Sequence, residues 1–81
     1  MDLPDPILKE YPRNFRKRFG AKVRELRREK NMLQGELADK VGVRESYISD
    51  VENAKKEPCL EVIQMLAKGL GVSLRRLFWD L

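Results

Sequence analysis

The feature that most constrains this chain is the stretch from Leu33 to Glu52, LQGELADKVGVRESYISDVE. Apolar residues recur in it twice at helical spacing, first as Leu37, Ala38 and Val41, then as Ile48 and Val51. Gly42 stands between the two runs and supplies a tight turn. The spacing predicts one helix over residues 34–41 and a second from Glu45 to about Glu52. Ala38 is small where the second helix must pack close to the first.

The flanks extend the same pattern. Phe15, Phe19, Val23 and Leu26 fall on one face of a helix expected to end near Lys30, with Asn31 in the left-handed position that closes it. Three of the four prolines, Pro4, Pro6 and Pro12, lie in residues 1–12. Proline resists helix continuation, so an extended N-terminal arm is expected there, followed by a domain over 13–81 that Asn14 opens as a cap. Beyond the polar loop 53–58, Leu60, Ile63, Leu66, Ala67 and Leu70 mark a fourth helix that Gly71 stops. Ser73 caps a short fifth helix in which Leu74, Leu77 and Phe78 cluster. No segment alternates with a period of two, so the expectation is all-α, with five helices and no sheet.

Size and composition narrow the chemistry. The 81 residues suffice for one small domain, with little room for the pocket and lid of most enzymes. No nucleophile–base pair, metal cluster or phosphate loop is visible, and an enzyme is not expected. There is no histidine, and the lone Cys59 makes neither an internal disulfide nor a zinc site, so neither metal nor cofactor is expected. The apolar runs are too short to span a bilayer, and the N-terminus lacks the order of a signal peptide. A cytoplasmic protein is therefore expected. The net charge of +4 favours an anionic partner, of which nucleic acid is the commonest.

Two short helices joined at a glycine turn have the geometry of a helix-turn-helix, whose second helix enters a major groove. The residues themselves carry a family resemblance from about Phe19 to Phe78. FGAKVRELRREKNM resembles the first helix of the Cro and phage-repressor-type (XRE-like) family. Gln34 with Glu36, Leu37 and Ala38 resembles its Gln-x-Glu-Leu-Ala signature, and Gly42-Val43 its turn. Ile48, Ser49 and Glu52 resemble its Ile-Ser-x-x-Glu, Pro58 opens the fourth helix, and LAKGLGVSLRRLF resembles the closing segment. The run Ser46 to Ser49 also resembles the controller proteins of restriction-modification operons.

The resemblance implies a lambda-repressor-like fold and a role for named residues. Arg44, Glu45, Ser46, Ser49 and Asp50 match positions that reach base edges. Gln34 matches a phosphate contact at the start of the second helix, where free N–H groups favour anions. Asn53, Lys55 and Lys56 match a loop beside the DNA backbone. Arg27 and Glu52 match a structural pair between the first and third helices. Chemistry agrees in part: Arg44 can grip a guanine edge, Glu45 can accept from cytosine, and the lysines neutralise phosphates. Tyr47 is expected on a thymine methyl or a phosphate, and Arg16 and Lys17 on phosphate. The basic face of Arg13, Lys17, Arg24 and Arg28 could equally be a solvated one.

Some positions depart from the pattern. Leu33, Arg44 and Cys59 stand where serine or threonine usually caps, and Ala54 stands where glycine usually closes the third helix. Cys59 reads more simply as a replaced cap than as a redox switch. Residues 33–58 hold four basic and six acidic residues, so the presumed DNA-reading unit is slightly acidic and a dimer is needed to supply affinity. Leu74, Leu77, Phe78, Trp79 and Leu81 are the expected homodimer interface.

The expected function is a sequence-specific regulator that binds an inverted repeat in double-stranded DNA as a dimer. Repression follows if the site overlaps RNA polymerase, and activation if polymerase touches the bound protein. No small-molecule substrate is implied. The rival expectation is a protein-interaction module on the same fold, an antitoxin-like or coactivator-like adaptor, motivated by the acidic Glu45 and Asp50, an exposed Leu33 and the C-terminal aromatics Phe78 and Trp79.

Overall fold

A computed structural model describes the backbone of residues 6–81 and the side chains of residues 15–81. Among these residues there are five helices and no strand. They are α1 (Pro6–Glu29), α2 (Gln34–Val41), α3 (Glu45–Glu52), α4 (Leu60–Leu70) and α5 (Leu74–Leu77). α2 packs on α3 and α4, and α1 lies across α3. One core joins them: Phe19, Val23 and Leu26 from α1, Leu37, Ala38 and Val41 from α2, and Ile48 and Val51 from α3. Leu66, Ala67 and Leu70 of α4 and Leu77 of α5 complete it. The apolar spacing that predicts each helix also predicts these inward faces.

Two expectations are corrected. The extended arm does not reach residue 12, because α1 already begins at Pro6 and runs through Asn14, which is therefore no cap. Pro6 is compatible with this start, since the first helical position has no hydrogen bond to lose through a missing N–H. Pro12 forfeits one helical hydrogen bond without ending the helix. Residues 1–5 of the expected arm, and the side chain of Arg13, lie outside the described residues. Leu60, expected to face inward, is 81% exposed. It is the first residue of α4, and helical side chains lean toward the N-terminus, which carries Leu60 off the end of the core.

The turns show how tightly the connections are drawn. Asn31, Gly42 and Gly71 close α1, α2 and α4 in the left-handed region, as expected of asparagine and glycine. Ala54 does the same after α3 with φ 60°, so the loop keeps a glycine-like backbone despite its methyl group. Left-handed geometry costs a non-glycine residue about 1–2 kcal/mol. Glycine regains part of this as entropy in the unfolded chain. Ala54→Gly is accordingly expected to stabilise the domain by about 0.5–1 kcal/mol, read as a raised midpoint in thermal unfolding; an unchanged or lower midpoint contradicts the strain.

The helix starts divide likewise. Ser73 Oγ accepts from the Arg76 N–H at 3.0 Å, a regular side-chain cap. Leu33, Arg44 and Cys59 occupy the same position for α2, α3 and α4 without any side-chain cap bond. At Leu33 the Glu36 carboxylate compensates in the other direction, accepting from the Leu33 N–H at 2.7 Å. Cys59 is exposed and unpaired. Cys59→Ser should therefore supply the missing acceptor and add about 1 kcal/mol. Equal denaturation midpoints for the two proteins would dismiss that reading of Cys59.

Candidate nucleic-acid interface

The position of α3 is set from behind by two contacts. The first is Gly20, in the middle of α1, where the two main chains meet. A Cβ at this position would lie 2.9 Å from the Glu52 carbonyl oxygen and closer still to that of Val51. The second is Glu52, which is buried (4% exposed) at the end of α3. Its Oε2 accepts from Arg27 Nε at 2.7 Å. Its Oε1 accepts from Arg27 Nη2 at 3.1 Å, Gln34 Nε2 at 3.0 Å and Arg24 Nε at 3.3 Å. Arg27 also donates to the Met32 carbonyl at 2.7 Å, which ties in the α1–α2 connection.

This carboxylate thus joins α1, α2 and α3 at one point. Burial pushes the Glu52 carboxyl up. The hydrogen bonds and charge of Arg27, with the bonds from Gln34 and Arg24, outweigh it and hold the group below the ordinary carboxylate range. The Arg27 guanidinium is raised chiefly by its hydrogen bond to Glu52. The expected structural pair is therefore present, with two partners the sequence did not signal.

With its inner side fixed, α3 presents an outward side. Arg44, Glu45 and Ser46 are exposed at its start, and Ser49 and Asp50 are half-buried one turn further on. Of the five expected base-edge residues, none is among the buried residues of α3, which are Ile48, Val51 and Glu52. Asn53 closes α3, donating its Nδ2 to the Ser49 carbonyl at 2.9 Å and to Ser49 Oγ at 3.3 Å. Its Oδ1 accepts from Arg24 Nη2 at 2.9 Å. Arg24 is thereby no solvated surface charge, because it bridges Glu52 and Asn53.

The expected phosphate contacts are placed unequally. Lys17, Lys55 and Lys56 are exposed. Lys56 Nζ lies 4.9 Å from the centre of the Tyr47 ring, a cation–π contact. Tyr47 is half-buried against the core, and burial, with a smaller contribution from Cys59, pushes its phenol up, so it stays an O–H donor. Gln34 is half-buried, with its amide turned to Glu52. Arg16 reaches Glu57 at 3.3 Å, in the loop after α3.

The expected dimer interface is divided between core and surface. Leu77 is fully buried and completes the monomer core, which removes it from that interface. Phe78 stacks on Phe19 and Phe15, with ring centres 5.5 and 6.0 Å apart, and Leu81 is packed against the core. Arg18 Nη2 donates to the Asp80 carbonyl at 3.1 Å and straps this end to α1. Leu74 and Trp79 remain exposed, at 43% and 59%. Gly20 carries no motif of its own in the sequence; its only signal is a glycine placed mid-helix next to the apolar positions Phe19 and Val23. The sequence reading misplaces Arg24, which looks like one more surface charge.

Among the described residues no helix is long and apolar enough to cross a membrane, and no group of three or more potential ligands could hold a metal ion.

Known proteins share this frame. The helix-turn-helix family pattern matches residues 23–77, from the last two turns of α1 to the end of α5. The control protein C.MunI of Mycoplasma sp is 37% identical over 65 residues, which are 79% of this chain and 88% of that protein. The control protein C.BamHI of Bacillus amyloliquefaciens is 42% identical over 60 residues, 73% of this chain and 74% of its own. The crystal structure of the restriction-modification controller protein C.AhdI from Aeromonas hydrophila superposes with a TM-score of 0.75. It is 37% identical and covers 80% of this chain and 97% of its own. The family pattern spans the elements that build the exposed α3, and these three relatives match over 74–97% of their own length, so this chain belongs to the XRE-type helix-turn-helix family.

Proposed function

We propose that the protein is a transcriptional regulator that binds an inverted repeat in double-stranded DNA as a dimer, in the manner of a restriction-modification controller. The observation that carries this reading is α3 itself: its inner side is locked to α1 and α2, while Arg44, Glu45, Ser46, Ser49 and Asp50 are left outward. In the bound state these five side chains read base edges, with Arg44 gripping guanine and Glu45 accepting from cytosine. Lys17, Lys55 and Lys56 neutralise phosphates, and Tyr47 donates its phenol to one. Gln34, Asn53 and Arg16 contribute there less freely, because each is already engaged within the protein. Leu74 and Trp79 form the apolar centre of the dimer contact, with Phe78 and Leu81 at its edge. Activation follows where RNA polymerase touches the bound dimer, and repression where the operator overlaps the polymerase site.

Selection from a random duplex pool at two salt concentrations tests this. The expected product is a repeat with half-site centres about 34 Å apart, weakened by salt and by Arg44→Ala. No enrichment at low salt overturns the proposal. It would instead favour the adaptor reading, for which Leu33, Glu36, Asp39 and Glu45 around an open hollow between α2 and α3 provide an acidic, partly apolar surface.

A further inference from the structure

A hollow of about 310 Å³ opens between α1 and the start of α4, with apolar walls from Phe15, Phe19, Pro58, Ile63 and Phe78. Arg16 and Glu57 stand at its rim, bridged at 3.3 Å through Arg16 Nη2. Arg16 Nε is buried, and among the described residues no acceptor meets it. A buried N–H without an acceptor is costly, and native structures rarely leave one. The monomer therefore lacks two things here: an acceptor for Arg16 Nε and an apolar group inside the hollow.

The same patch of surface carries both. Leu60 is the first residue of α4 and is 81% exposed. It lies three residues before Ile63, on the same face of the helix, so it projects beside the hollow without filling it. Glu57 is largely exposed, and its carboxylate can accept more bonds than the one from Arg16 Nη2. A projecting leucine beside a hollow, and an acceptor beside an unmet donor, make the patch complementary to itself. A two-fold pair uses such a patch twice, because each contact between unlike residues recurs in the opposite sense. A foreign partner would have to supply what the chain already carries on this face.

We propose that this patch is an interface with a second copy of the chain. Leu60 of each copy enters the hollow of the other, and Glu57 of each accepts from Arg16 Nε across the two-fold axis. The proposal rests on the dimer reading and extends its contact. Phe78, at the edge of the Leu74 and Trp79 contact, also lines the hollow, and its N–H bonds to the Leu74 carbonyl at 3.0 Å, so the hollow continues that apolar surface.

The test is sedimentation equilibrium of the full chain without DNA, at physiological salt, with Leu60→Ala and Leu60→Lys beside wild type. Leu60 is exposed, so neither substitution should disturb the monomer. Two leucines leave two hollows at once, so Leu60→Ala should weaken the dimer about a hundredfold. Leu60→Lys should weaken it further, because it brings a cation to Arg16. The thermal midpoint of wild type should rise with protein concentration, and that of Leu60→Lys should not. A dimer constant unchanged in both variants overturns the hollow as an interface and leaves the Leu74 and Trp79 contact standing. A wild type that stays monomeric at its highest soluble concentration overturns the dimer reading and this interface together.

Charge exchange tests the cross pair. Arg16→Glu and Glu57→Arg should each dimerise poorly, because like charges then meet at both ends of the contact. Mixed together, the two variants should pair with one another at least about tenfold more tightly than either pairs with itself. A mixture no tighter than the separate variants overturns the bond between Arg16 and Glu57 across the axis.

Discussion

Gly20→Ala is expected to unfold this domain or bring it close to unfolding. The added methyl group would meet two main-chain carbonyl oxygens, those of Val51 and Glu52, rather than the ends of flexible side chains. Neither can rotate away, so α1 and α3 must separate. Overpacking of this kind costs about 3 kcal/mol or more, and the gain in helix propensity on replacing glycine returns only about 1 kcal/mol. For a domain of this size the thermal midpoint should fall by roughly 10–20 °C. Gly69→Ala is the informative control. Its new methyl would meet Val41 Cγ2 at 3.2 Å and Leu37 Cδ1 at 3.3 Å, both ends of side chains that can shift by a few tenths of an ångström. That substitution should change stability by no more than about 1 kcal/mol. Equal melting curves for the two variants would refute a main-chain contact at Gly20.

The second large effect concerns Glu52. Glu52→Ala leaves Arg27 buried beside an empty space and removes the partner of Arg24 and Gln34. Breaking a buried ion pair from one side costs about 3–5 kcal/mol. Replacing both partners, as Glu52→Leu with Arg27→Met, should recover much of that loss, because no unpaired charge then remains. If the double variant melts no higher than Glu52→Ala, the loss is one of shape and not of charge. The same residue sets the response to acid. The folded state holds the Glu52 carboxyl below its ordinary value, so its contribution is complete at neutral pH. That contribution declines once the pH falls below the ordinary carboxylate range and vanishes as the folded-state value is passed. Wild type should thus lose stability on acidification more steeply than the double variant, as measured by urea denaturation between pH 7 and pH 3.

These two positions also show how far the sequence could be read. Apolar spacing is a property of neighbours along one helix, so the faces of α2, α3 and α4 were legible, and so were the turns at Asn31, Gly42 and Gly71. The start of α1 was not, because proline rules forbid a helix interior more strongly than they forbid a helix beginning, and Pro6 sits at a beginning. Leu60 fits the apolar period of α4, yet a helix end can extend past the core it serves. The site was legible as a set of exposed positions on α3. The bonds of Gln34, Arg24 and Asn53 were not, because each joins residues at least eighteen apart or depends on which way an amide turns. The C-terminal cluster is apolar enough to serve both core and partner, and its spacing does not say which residue does which; Leu77 is buried and Phe78 stacks on Phe15 and Phe19, whereas Leu74 and Trp79 stay exposed.

The close approach of α1 and α3 at Gly20 has a consequence for how proteins of this design can diverge. The buried contacts that fix α3 are those of Ile48, Val51 and Glu52 on its inner side and of its main chain against Gly20 of α1. Exposed substitutions away from such contacts usually change stability by less than about 0.5 kcal/mol. Arg44, Glu45 and Ser46 can therefore be exchanged almost without regard to folding, and a lineage can acquire a new target by a few codon changes while the scaffold stays under strict selection. Ser49 is the exception. Its partners reach back to the buried carboxylate, so drift at that position should be slower than at its exposed neighbours and should be accompanied by change at Asn53.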